Sequence, residues 1–198
     1  MRKSRKKYAL IPQDLPYQRL AFLLDFIYAA QVDFDKVGEI TGTNRTTVYH
    51  WLRRDDTRLS YANKIVKENG YTLTVALVRD SEETTVINIS DIPGWQENNY
   101  ELHPLAFLEL ALKKYGVSKV QLADMLGMSK AGVNQWWKSQ DILISRIYQI
   151  ADVLNCSVRF FIVSNNEDNF DKVCRTRRVA TTEIILRSTV DLGPRRED

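Results

Sequence analysis

With 198 residues, 44% of them hydrophobic and 27% charged, the chain has the make-up of an ordinary soluble globular protein, one medium domain or two small ones. Its net charge of +3 is too small for the whole-molecule field to argue for a polyanionic partner. Cys156 and Cys174 are too few for a disulfide framework and form no Cys-x-x-Cys metal pair, which suits a reducing cytoplasm, and no run reaches the roughly 18 apolar residues of a membrane span.

The chain opens on MRKSRKK, five basic groups without an acid. "YALIPQDLP" follows, with two prolines and no long apolar run, so this is no signal peptide and residues 1–15 read as a basic arm. A solvated tail is its plain reading; a phosphate or minor-groove contact is the sharper one. A first helix is expected through "PYQRLAFLLDFIYAA", with proline near its start, where a missing N–H is harmless. "FDKVGEITGTNRTTVYHWLR" then has helical periodicity with Gly42 in its middle, at a cost of about 1 kcal/mol if the helix were continuous. Two short helices crossing at a tight turn remove the conflict, because glycine accepts a positive φ without a Cβ penalty. Gly38, four positions earlier, allows their close approach. A fourth helix, "RLSYANKIVKEN", ends at Gly70. The period then changes to two: "YTLTVALV" reads as a strand, with "TTVINIS" (84–90) as its hairpin partner. Residues 91–100, "DIPGWQENNY", read as a linker.

The rest repeats this order at a gapless offset of 85. Leu20-Ala21-Phe22-Leu23 falls on Leu105-Ala106-Phe107-Leu108, Gly42 on Gly127, Val48 on Val133 and Trp51 on Trp136. Leu73, Val75 and Leu77 fall on Val158, Phe160 and Ile162. Ser118 with Gln121 signals a capping box before the second copy's turn helices, and Asn155 replaces Gly70 as helix terminator. "TTEIILRS" (181–188) is the expected hairpin partner of "CSVRFFIV". The loop between them, 164–180, holds Arg175, Arg177 and Arg178, a solvated cluster or a wing against nucleic-acid backbone. Residues 191–198 form a tail. Trp51 and Trp136 are expected in the core, Trp137 partly exposed, and Cys156 buried at a strand start.

"LADMLGMSKAGVNQW" resembles the helix-turn-helix of the lambda-repressor/Cro-like DNA-binding family. Ala123, the turn glycine Gly127 with apolar Met128 after it, inward Val133 and aromatic Trp136 all stand at the family spacing. The first copy departs from it, with Gly38 for the alanine and Thr43 for the apolar residue. The resemblance covers residues 16–70 and 101–155 and implies compact bundles of about five helices. The expected fold is therefore mainly α: tandem duplicated lambda-repressor-like helix-turn-helix domains, 16–90 and 101–190, each followed by a short β hairpin. If the hairpins pair, the chain is an internal pseudo-dimer; a homodimer of chains is the other arrangement.

Carried over by position, the outward residues of the third helices should face DNA. In the first copy these are Asn44, Arg45, Thr46, Tyr49, His50 and Arg53; in the second, Ser129, Lys130, Ala131, Asn134, Gln135 and Lys138. Arginine can read guanine bidentately, Asn or Gln can read adenine, and Ala or Thr methyls can meet thymine. The resemblance implies a bacterial or phage transcriptional regulator, a repressor that occludes a promoter by reading two unlike half-sites. Two alternatives stay open at this level: an antitoxin-like module holding a toxin-like protein partner, and an architectural DNA protein with little sequence preference. No enzyme is expected. His50 and His103 have no nucleophile or metal-ligand spacing around them, and no phosphate loop or cofactor motif is present.

Overall fold

The computed structural model describes residues 19–79, 104–164, 177–179 and 182–187, the last two segments and residues 163–164 by their backbone only. The expectations placed on the arm, residues 84–90, the linker, His103, Cys174, Arg175 and the tail lie outside these residues.

The first half consists of α1 (Ala21–Ala29), α2 (Phe34–Thr41), α3 (Arg45–Arg54), α4 (Leu59–Glu68) and strand β1 (Tyr71–Val78). The second repeats the order with α5 (Ala106–Tyr115), α6 (Lys119–Met125), α7 (Lys130–Ser139), α8 (Ile144–Leu154) and β2 (Ser157–Ser164), and continues into β3 (Arg177–Val179) and β4 (Thr182–Arg187). Each half thus shows four helices among the described residues, where the resemblance implies about five, and a strand follows directly on the fourth helix.

The backbone repeats as closely as the element order. The positive-φ residues among the described ones form four pairs, each 85 positions apart: Gln31 with Gly116, Gly42 with Gly127, Asp55 with Gln140, and Gly70 with Asn155. Left-handed conformations are confined to a few residue types and to helix ends, so their coincidence reports the same turns in both halves. Gly42 at φ 68° and Gly127 at φ 62° occupy the expected turns. The capping box of Ser118 and Gln121 opens α6. A Cβ at Gly38 would stand 3.0 Å from the Thr43 carbonyl oxygen, which explains why this position departs from alanine. The departure at Thr43 is accommodated too, since its hydroxyl lies 3.0 Å from that of Thr41, which itself donates to the Val37 carbonyl.

The strands correct the hairpin expectation. β1 pairs antiparallel with β2, across the halves, and β4 lies parallel to β2 on its other side, giving the order β1-β2-β4-β3. A parallel neighbour cannot be reached through a tight turn. The hairpin of this region is β3 with β4, so Arg177 and Arg178 lie in a strand rather than in the expected loop. In the β1–β2 ladder Val75 faces Phe160, its own equivalent in the other half, so a local two-fold axis passes between them.

The same axis passes through an antiparallel bridge between Arg58 and Leu143, again equivalents. Around it the main-chain bonds and the serine–aspartate bonds are made twice. The Leu59 amide donates to the Ile142 carbonyl and the Ile144 amide to the Thr57 carbonyl. The Ser60 amide and hydroxyl donate to Asp141 at 3.0 and 2.8 Å; those of Ser145 donate to Asp56 at 2.9 and 2.7 Å. Residue i meeting j while j meets i is the signature of an isologous contact. One continuous core runs through both halves: Leu73, Val75, Leu77, Val158, Phe160 and Ile162 are buried on the sheet, and Phe22 of α1 stacks on Phe160 with ring centroids 3.8 Å apart.

Trp51 and Trp136 are half-buried against this core rather than inside it, as are Trp137 and Cys156. The core itself is reached by the residue three positions before each of the first two, Val48 and Val133, at 1% and 0% exposure. Trp51 stacks on Tyr61 of α4 at 5.0 Å, so its indole closes the bundle from the side.

Candidate nucleic-acid interface

α2 and α3 in the first half, α6 and α7 in the second, form two helix-turn-helix units. Each third helix turns its valine inward and keeps a polar stripe outside, as the helical period requires. Thr46, His50 and Arg53 are exposed on α3; Ala131, Asn134, Gln135 and Lys138 are exposed on α7, with Lys130 at its start. Beyond the helix bonds of their main chains, the side chains of His50, Arg53, Lys130, Asn134, Gln135 and Lys138 make no hydrogen bond or ion pair with any described residue.

The remaining site residues are engaged. Asn44 and Ser129 are N-caps: the Asn44 Oδ1 accepts from the Thr47 amide at 2.9 Å and the Ser129 hydroxyl from the Gly132 amide at 3.1 Å. Each satisfies an otherwise orphaned donor of its helix, which leaves the Asn44 amide group, not its oxygen, for any further contact. Arg45 and Tyr49 are half-exposed and joined. The Arg45 Nη2 donates to the Tyr49 hydroxyl at 3.1 Å, its Nη1 lies 3.1 Å from Asp35 Oδ2, and its guanidinium sits 5.5 Å from the Tyr49 ring centre. The Tyr49 hydroxyl bond, reinforced by the charge of Asp35, holds the Arg45 pKa above its ordinary value. Tyr49 is braced in turn by an edge-on contact with Phe34, 5.3 Å between centroids.

The second half lacks this triad, having Val120, Lys130 and Asn134 at the equivalent positions. Its own bracing lies one turn further on: Trp137 Nε1 donates to Glu109 at 2.7 Å and Lys119 Nζ stands 3.9 Å from the Trp137 ring centre. Asp35, Glu109 and Lys119 carry no signal in the sequence, since each meets its partner across a turn or between helices. Arg54 and Arg58 add exposed cations at and beyond the end of α3.

The third helices of the two halves are held differently at their far ends. Asp55 accepts from the amides of Arg19 and Leu20 at 2.6 and 2.9 Å, capping the first helix from the end of α3. At the equivalent place the second half has Pro104, which has no N–H to give, and Gln140, whose amide bonds back to the Trp137 carbonyl at 2.7 Å.

Among the described residues no cluster of His, Cys, Asp or Glu could hold a metal, and no helix is long and apolar enough to cross a membrane. No curated protein and no solved structure matches the chain. Residues 108–161, from α5 into β2, match the helix-turn-helix family model.

Proposed function

We propose that the chain is a sequence-specific double-stranded DNA-binding transcriptional regulator, acting as a repressor by occluding a promoter, and that it works as a single-chain pseudo-dimer. In this reading a helix-turn-helix unit was duplicated in tandem, residues 16–90 and 101–190 being the two copies. The matching backbone turns and the 85-residue offset support this, although only the second copy meets the family model.

One observation carries the proposal. The reciprocal bonds of Asp56 with Ser145 and of Asp141 with Ser60 relate the two helix-turn-helix units by a local two-fold axis. Duplex DNA presents two-fold axes of its own, which is why dimeric readers bind half-sites about one helical turn apart. A chain with both readers built in has no need of a second chain. The exposed Arg53, Lys130 and Lys138 supply phosphate attraction, and His50, Asn134 and Gln135 supply hydrogen-bonding groups for base edges.

The test is stoichiometry on a duplex selected from random sequence. Native mass spectrometry is expected to give one chain per site. Two chains per site, with one helix-turn-helix unit of each left off the DNA, would contradict the proposal.

A further inference from the structure

Arg45 is the only residue on either reading helix whose charged group is tied on two sides by described neighbours, and the tie exists in one half alone. A guanidinium offers five N–H groups in a rigid plane. Asp35 engages Nη1 and the Tyr49 hydroxyl engages Nη2, which leaves three donors, and a guanine needs two.

Two opposite consequences are open to such an arrangement. Asp35 could compete with the DNA for Arg45, or it could hold the guanidinium in a reading pose. The geometry decides between them. Arg45 is the first residue of α3 and Tyr49 lies one turn on, so their bond holds the arginine along the helix rather than folded away from it. Tyr49 is itself fixed against Phe34, which is 3% exposed. Asp35 is half-exposed at the rim of α2 and stands on the other side of the guanidinium. Both neighbours bond in the same planar group without burying it, because the Arg45 side chain keeps 41% of its surface accessible.

We infer that Asp35 and Tyr49 are specificity-determining positioning residues, which hold Arg45 preorganised to read one guanine in the half-site of the first unit. This rests on the DNA-binding reading above and adds to it the base preference of that half-site. Fixing a long side chain before binding removes most of the rotamer entropy that a free arginine would lose on contact. The carboxylate adds a second effect. Standing beside the reader, it repels phosphate, so the arginine gains little from misplaced contact with the DNA backbone. The second unit, with Val120 in place of Asp35 and Lys130 in place of Arg45, should show no matching fixed guanine.

The test is binding-site selection on the full chain with the wild type, Asp35→Ala, Asp35→Asn and Tyr49→Phe. Both positions are at the surface or its rim, and a thermal melt of each variant establishes that it is folded. Asp35→Ala is expected to weaken the preference for one guanine about tenfold, within what a bidentate base contact discriminates. Tyr49→Phe keeps the ring packed on Phe34 and should weaken the same base and no other. Asp35→Asn retains an oxygen that accepts from Nη1 and should keep most of the preference. The slope of affinity against salt should steepen in Asp35→Ala, because the arginine is then free to contact phosphate. Unchanged base preference in Asp35→Ala and Tyr49→Phe would overturn the inference. So would uniformly tighter binding to all sequences in both Asp35 variants, which would make Asp35 a mere repelling charge. If the wild type itself selects no sequence, the DNA-reading proposal beneath this one fails first, and the two failures are told apart by that arm.

Discussion

A Cβ at Gly127 would meet nothing within 4 Å, so close contact at that atom does not reserve this turn for glycine; φ at +62° does. The cost of substitution should therefore follow backbone preference rather than size. Gly127→Val should destabilise the protein by roughly 1–3 kcal/mol, because a β-branched residue is strained there. Gly127→Asn should cost clearly less, since asparagine enters the left-handed region readily. Urea unfolding of the two variants checks the order, and equal losses would contradict it. Thr57 presents the reverse case. It is 3% exposed beside the local two-fold axis, its hydroxyl has no partner among the described residues, and its equivalent is the apolar Ile142. Thr57→Val keeps the carbonyl that accepts from Ile144 and removes an unpaired buried hydroxyl. It should stabilise by about 1 kcal/mol in the same measurement; a loss would show the hydroxyl to be satisfied. Residues such as Gly42 and Gly127 were legible from sequence because their demand is local. Asp35 was not, as it meets Arg45 ten positions away across a turn, and neither residue's type announces the pairing.

The helices α4 and α8 begin without caps of their own. Arg58 and Leu143 stand at their N-cap positions and make no side-chain cap bond. Each helix takes its cap from the other half instead. Asp141 receives the Ser60 amide, Asp56 receives the Ser145 amide, and a carbonyl from across the axis takes the donor just before. A carboxylate at a helix N-terminus also complements the helix dipole. Asp141→Ala should thus cost roughly 1–2 kcal/mol, as for the loss of an N-cap. Asp56→Ala should cost no more, because Asp141 also accepts from the Ile142 amide and pairs with Arg58, while the Asp56 carboxylate has only the Ser145 bonds among the described residues. Thermal or urea unfolding reads both, and a variant as stable as the wild type would contradict the assignment. Helical period made both helices legible in the sequence. Their caps were not, because the residues that supply them lie in the other half of the chain. The strands show the same limit. "YTLTVALV" and "CSVRFFIV" were readable as strands from alternation, but alternation does not name a partner. Local pairing suggested hairpins, whereas β1 found β2 across the axis and β2 found β4 in parallel.

At the scale of the molecule, the two halves are joined by one core and one axis but carry different outward surfaces on their third helices. α3 presents Thr46, His50 and Arg53 beside the tied Arg45; α7 presents Lys130, Ala131, Asn134, Gln135 and Lys138. A symmetric scaffold with unlike readers should recognise an asymmetric site. Binding-site selection with the wild type, Arg45→Ala and Gln135→Ala tests this most directly. The expected site contains two unlike half-sites about 10 bp apart, one helical turn. Arg45→Ala should relax base preference in one half only, by an amount worth roughly 1–3 kcal/mol, and Gln135→Ala should relax it in the other. A perfectly palindromic site, or the same positions relaxed by both variants, would contradict the account.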